Sequence, residues 1–246
     1  MTKLYKKSEI TFAISWIVAY VVLSSLADQI SVNLGLSKSV SAPLHILMSL
    51  VLFFWIRNNN LSEKFGFCRP AVSAKRFLYY IPLIIIASSS LLSGIGLQYS
   101  LAESLFYVIS MCGVGFLEEV IFRGLLFRAM EKDSLKAAII VSSLTFGLGH
   151  IVNLFNGSGK ELTATLIQIV LAILVGFVLV MIFYHGKSIV PCILFHSANN
   201  ALHVFAAESG MSTQAETILN LALIIVVLGG YLLYLLKAFP IKASQQ

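Results

Sequence analysis

Residues 113–128 read GVGFLEEVIFRGLLFR. The run is apolar apart from Glu118, Glu119, Arg123 and the terminal Arg128, and it sits in a longer apolar stretch over 104–127. At about 1.5 Å of rise per residue, a helix of that length crosses the ~30 Å hydrocarbon core of a bilayer. A charge placed there costs at least ~2.5–3.5 kcal/mol on insertion scales. Three charged groups inside one span therefore need a reason. Glu119 and Arg123 are four residues apart, share a helix face and can neutralise each other. Glu118 points about 100° away from Glu119 and has no partner within its own helix.

The surroundings are of the same kind. Of the 246 residues, 58% are hydrophobic and 11% charged, with a mean hydropathy of +0.91. Ordinary soluble domains are about 25% charged. A water-facing surface of this composition would be largely apolar and would aggregate. The sequence therefore predicts an all-α, polytopic membrane protein, a single transmembrane helical domain over 1–246, with its polar-bearing core near 104–206. Apolar stretches at 9–27, 42–56, 77–97, 104–127, 137–153, 162–184, 188–206 and 217–236 predict about eight spans. The first follows Lys3, Lys6 and Lys7 and has the look of a secretory leader. Its apolar run of 18 residues exceeds a typical leader core, so it is read as a retained span.

Charge supports this count. With the N-terminus in the cytoplasm and eight crossings, 14 of the 17 Lys and Arg fall on the inner side. Lys38 and Lys160 fall outside, and Arg123 lies within a span. That is the positive-inside pattern, with both termini cytoplasmic and a multi-pass protein expected in the cell membrane. The net charge of +6 then reads as loop charge, with the 57–76 loop expected against lipid headgroups and no nucleic-acid partner. Cys68, Cys112 and Cys192 are odd in number and match no disulfide or thiolate-metal spacing. Ser143 and Gly147, four apart, predict a close helix contact.

Two further apolar stretches carry polar groups. FGLGH at 146–150 ends in His150, and FHSANN at 195–200 holds His196, Asn199 and Asn200. His196 and Asn200 share a helix face. Counted from the expected cytoplasmic ends, Glu118 lies about 15 Å deep, His150 about 21 Å, His196 about 12 Å and Asn200 about 18 Å. Three helices thus bring polar groups into one slab about 10 Å thick. A carboxylate beside an imidazole can take a proton from water and make a nucleophile. An imidazole and an amide can donate hydrogen bonds to an oxyanion. The same Glu and His groups could instead hold zinc, although the H-E-x-x-H signature is absent.

EEVIFR (E-E-x-x-x-R), FGLGH (F-x-x-x-H) and HSANN (H-x-x-x-N), in this order on successive apolar spans, resemble the CPBP family. That family comprises the CAAX-processing proteases and their bacterial relatives, including bacteriocin-immunity-type proteins. The likeness runs over about residues 115–203. It implies an intramembrane endopeptidase in which Glu118 and His150 activate water, His196 and Asn200 stabilise the oxyanion, and Glu119 and Arg123 support them. It leaves the cofactor open between none and a divalent metal such as zinc; a metal would be held by Glu118, His150 and His196. Expected substrates are C-terminal tails of lipidated proteins, or small secreted or membrane peptides of bacteriocin or pheromone type.

Two rival functions share these residues: a non-proteolytic immunity or binding protein of the same fold, and a proton-coupled transporter with Glu118, Glu119 and His150 as the relay. Taken singly, each feature has a plainer reading. Glu119 and Arg123 form a structural ion pair, His150 is a core histidine, and His196 and Asn200 tie helices together. His45 and His185 read as structural, and His203 as a rim residue. The oligomeric state is open.

Overall fold

Ser8 caps the first long helix, its hydroxyl accepting from the Thr11 amide at 3.1 Å. A short helix α1 (Thr2–Lys7) precedes it, and α2 (Glu9–Asn33) and α3 (Ser41–Asn58) follow. Next come a 3-10 stretch (Ala74–Tyr80), α4 (Ile81–Ser88) and a 3-10 turn (Ser89–Leu91). Ser100 and Glu103 form a reciprocal capping box that starts α5 (Leu101–Glu119). That helix continues as a π-helical segment (Val120–Phe127) and the single turn α6 (Arg128–Met130). Ser134 caps α7 (Leu135–Leu148), which tightens into a 3-10 turn (Gly149–Leu154). The chain ends with α8 (Leu162–Gly186), α9 (Val190–Leu202), a 3-10 turn (His203–Phe205) and α10 (Thr213–Ala238). This computed structural model describes residues 1–154, 161–207, 210 and 213–240; Lys160 and Lys242 lie outside them. Among the described residues there is no strand, only an isolated bridge between Ile95 and Ala206.

The all-α, multi-span architecture matches the expectation, but the spans are not all alike. Six helical runs are long and apolar enough to cross a membrane: Glu9–Asn33, Ser41–Asn58, Leu101–Met130, Leu135–Leu154, Leu162–Gly186 and Thr217–Ala238. The other two apolar stretches are broken. In 77–97 the backbone turns left-handed at Leu78, Tyr79 and Tyr80, Pro82 starts α4, and that helix lasts only 8 residues. In 188–206, Pro191 starts α9, which lasts 13 residues before tightening. Such helices reach about 12 Å and about 20 Å, short of the full hydrocarbon thickness. Hydropathy reads the apolar length of a stretch; proline and left-handed residues decide how much of it is one helix.

Ion pairs sort the loops onto two ends of the bundle. Glu9 meets Lys64 at 2.7 Å and Lys132 at 2.8 Å, joining the start of α2, the loop after α3 and the turn after α6. At the opposite end Asp28 pairs with Lys38 at 2.8 Å, and Glu103 accepts from the Ser37 amide at 3.2 Å. Each end gathers loops that the hydropathy pattern places on one side.

Small residues set the closest helix contacts. A Cβ added to Gly147 of α7 would lie 2.8 Å from the Ile173 amide nitrogen and 2.9 Å from the Ile169 carbonyl of α8. A Cβ on Gly176 of α8 would lie 3.0 Å from the Ser143 backbone. The predicted Ser143–Gly147 contact is therefore with α8, where backbones approach as small residues allow. Replacing Gly147 by alanine pushes two backbones apart and should cost about 1–3 kcal/mol. Gly229 has nothing within 4 Å of such a Cβ. Thermal unfolding in detergent should show a lower melting temperature for Gly147→Ala and none for Gly229→Ala.

Candidate active site

The site forms where the C-terminal end of α5 runs beside α9. A Cβ on Gly115 would lie 2.7 Å from the Ser197 amide nitrogen, so glycine there lets the two helices come close. His196, the neighbour of Ser197, is thereby set against the paired glutamates. Because consecutive helical residues diverge by about 100°, Glu118 and Glu119 reach the two sides of one imidazole. Glu119 Oε1 lies 2.8 Å from His196 Nδ1. Glu118 Oε2 lies 3.6 Å from His196 Nε2. The first is a hydrogen bond. The second is longer than one, so it leaves both groups able to engage a third. A carboxylate only accepts, so Nδ1 donates to Glu119, and Nε2 is the nitrogen turned toward Glu118.

Arg123 closes the cluster from below. Its Nη1 is 3.2 Å from Glu119 Oε1, and both side chains are fully buried. The approach satisfies an ion pair by distance but not hydrogen-bond geometry at the three guanidinium nitrogens. Charge and the face of Phe146, 4.1 Å from Arg123 Cζ, hold the guanidinium. The motif arginine and its glutamate are thus paired as the spacing predicts, and the same glutamate also grips the histidine of another helix.

Phe146 joins the remaining motif. Its ring meets Phe122 at 5.5 Å, His196 at 5.6 Å and His150 at 5.8 Å between centroids, edge-on each time. His150 lies beyond the end of α7, in the 3-10 turn, with Nδ1 3.3 Å from the Phe146 carbonyl. A carbonyl can only accept, so Nδ1 is the donor in that contact. The π-helical segment shifts the hydrogen-bond register by one residue and leaves a carbonyl for another donor. Ser142 of α7 donates to the Phe122 carbonyl at 2.9 Å, fastening the second motif's helix to the first. Asn200 lies one turn after His196 on α9, and its Oδ1 accepts from Asn199 Nδ2 at 3.2 Å, leaving the Asn200 amino group as the donor end.

Glu118, Glu119, Arg123 and His196 are thus in direct contact, His150 is linked to them through Phe146, and Asn200 follows on the same helix. Two residues escaped the sequence reading. Tyr20 of α2 donates to Glu118 Oε1 at 2.6 Å. His45 of α3, taken as structural, has its ring 6.1 Å from that of Tyr20. A signal was present: Tyr20, Ser24 and Asp28 recur every four residues, a polar stripe on an otherwise apolar helix.

The donor set does not suit a metal. Among the described residues no three His, Cys, Asp or Glu side chains come together as ligands. Glu119 and His196 Nδ1 are already engaged with each other. The metalloprotease reading with Glu118, His150 and His196 as ligands therefore has no support in the geometry of the described residues.

The family model for type II CAAX prenyl endopeptidases, Rce1-like, matches residues 100–202. Comparisons with curated proteins and with solved structures found no match. The matched region runs from the cap of α5 to the end of α9 and contains all seven motif residues. The matched region is similar to the CAAX-protease core, as the trio of motifs implied, and with the apolar helices it marks a multi-pass membrane protein.

Removing one partner of a buried ion pair costs about 3–5 kcal/mol, because the other charge is stranded. Arg123→Leu should therefore lower thermal stability in detergent far more than the double variant Glu119→Gln/Arg123→Leu.

Proposed function

We propose that this Rce1-like core hydrolyses a peptide bond in a membrane-associated protein or peptide, using water activated by Glu118. The observation that carries the reading is the clamp on His196, with Glu119 on Nδ1 and Glu118 facing Nε2 across 3.6 Å. One carboxylate orients the imidazole, and the other keeps an oxygen turned toward its second nitrogen.

In this mechanism Glu118, assisted by Nε2 of His150, takes a proton from water, and the resulting hydroxide adds to the scissile carbonyl carbon. The carbonyl oxygen becomes an oxyanion that accepts from His196 Nε2–H and the Asn200 amide. Donation from Nε2 requires the doubly protonated ring, since Nδ1 already donates to Glu119; the flanking carboxylates balance that charge. Collapse breaks the C–N bond. The proton taken from water passes to the leaving amine, giving a carboxylic acid and an amine. Glu119 and Arg123 act on the histidine and touch no substrate.

The membrane setting, together with the family resemblance, supports the proposed substrate class. A site inside a helical bundle in lipid receives chains that are already membrane-bound, such as the C-terminal tails of lipidated proteins or small hydrophobic peptides of bacteriocin or pheromone type. The cell membrane is the proposed location, with the site opening toward the cytoplasmic leaflet.

The test uses purified chain in liposomes with two probes, a farnesylated peptide ending in a C-a-a-X tail and an unprenylated hydrophobic peptide, read by mass spectrometry. Glu118→Gln should lower kcat/KM by about 10²–10⁴-fold, the scale of a lost general base. Asn200→Ala should cost about 10²–10³-fold, the scale of a lost oxyanion donor. Cleavage that survives Glu118→Gln overturns the mechanism. Protection of cells against a peptide toxin that persists in Glu118→Gln points to the immunity reading, and proton flux without cleavage to the transporter.

A further inference from the structure

The polar cluster does not stop at the matched region. The family match begins at residue 100, yet Glu118 takes its hydrogen bond from α2, some hundred residues earlier in the chain. We infer that Tyr20 is a positioning residue for Glu118: its phenol holds one carboxylate oxygen so that the other faces His196. The inference rests on the hydrolytic reading above and names a residue that the three motifs do not contain.

Glu118 carries three rotatable side-chain bonds, and a general base must be held close to its productive geometry. Its two oxygens have different partners. Oε1 accepts from the Tyr20 hydroxyl at 2.6 Å, and Oε2 faces His196 Nε2 at 3.6 Å. A distance of 2.6 Å is in the range of hydroxyl donors to a charged carboxylate, the stronger class of hydrogen bond. The contact is sheltered, with Tyr20 9% exposed and the Glu118 side chain 14%. Water competes little there, so the bond can define which oxygen points where.

The tyrosine is itself held. Its ring lies against that of His45, tilted by 42°. Both nitrogens of His45 are occupied, Nε2 with Ser24 Oγ at 3.0 Å and Nδ1 with Ser110 Oγ at 2.9 Å. A Cβ added to Gly113 would lie 3.2 Å from the His45 carbonyl carbon, so glycine lets α3 seat that histidine against α5. Three helices thus converge on one carboxylate: α2 supplies the donor, α3 backs the donor's ring, and α5 carries both the acid and Ser110. Each member of this set would be expensive in lipid without its partners.

A plainer role competes with this one. A buried tyrosine hydroxyl needs an acceptor, and Glu118 satisfies it whatever Glu118 does. The two roles separate in kinetics. A bond that only satisfies the phenol affects stability. A bond that aims the base affects kcat with little change in KM, and only while Glu118 is present.

The experiment measures wild type, Tyr20→Phe, Glu118→Gln and the double variant in the liposome assay, each with a melting temperature in detergent. Phenylalanine keeps the ring and its packing on His45 and deletes only the hydroxyl. Tyr20→Phe should lower kcat about 10–100-fold, the scale of misplacing a reacting group by about 1 Å, with KM within twofold. The double variant should be no slower than Glu118→Gln alone. Wild-type kcat in Tyr20→Phe beside an inactive Glu118→Gln overturns the positioning role and leaves the hydrolytic reading standing. A loss seen only in KM or melting temperature also overturns it. Wild-type protein that cleaves neither probe brings down the hydrolytic reading, and this inference with it.

Discussion

A fully buried guanidinium inside an apolar helix bundle must be met by negative charge, and the Arg123–Glu119 pair is where that demand falls. The pair is local to one helix, but it would be costly as an isolated feature. Its glutamate also accepts from His196, and its arginine lies on the face of Phe146. One ion pair thus commits three helices, α5, α9 and α7, to a common point. Glu119, Arg123 and His196 sit at that point because each answers an electrostatic need of another.

Close approach of the helices makes this possible. Gly115 brings α9 onto α5, Gly113 brings α3, and Gly147 with Gly176 brings α7 onto α8. In lipid there is little hydrophobic gain in joining two apolar helices, so van der Waals fit and interhelical hydrogen bonds carry the association. The glycines supply the fit. Ser142 on the Phe122 carbonyl, Tyr20 on Glu118 and His196 on Glu119 supply the bonds. The π-helical segment belongs to this scheme, since its altered register lies between the glutamates and the turn that carries Arg128.

For the proposed hydrolysis, the different settings of the adjacent glutamates matter most. Glu119 is enclosed at 0% exposure and bound to two cationic or protonatable partners, which suits an orienting group. Glu118 retains some exposure and one loosely engaged oxygen, which suits a group that must exchange protons. A single helical step of about 100° produces that division, because it sends one side chain into the helix interface and the other across it. The Rce1-like match over residues 100–202 covers both glutamates but not α2, whose Tyr20 donates to Glu118.

Read alone, the sequence determined whatever depends on neighbours along the chain. Hydropathy gave the all-α membrane class, and spacing of four gave the Glu119–Arg123 pair and placed His196 with Asn200. Ordered motifs on successive spans gave the family and the candidate residues. Its span count relied on apolar length, and Pro82, Pro191 and the left-handed run at Leu78–Tyr80 cut two of those lengths into short helices. Only the tertiary structure decided that Glu119 and Glu118 flank the same imidazole, that Phe146 links His150 to it, and that Tyr20 and His45 belong beside them. Those facts depend on which helix faces meet. Meeting is set by small residues and polar atoms on separate helices acting together, which no periodicity within one helix records.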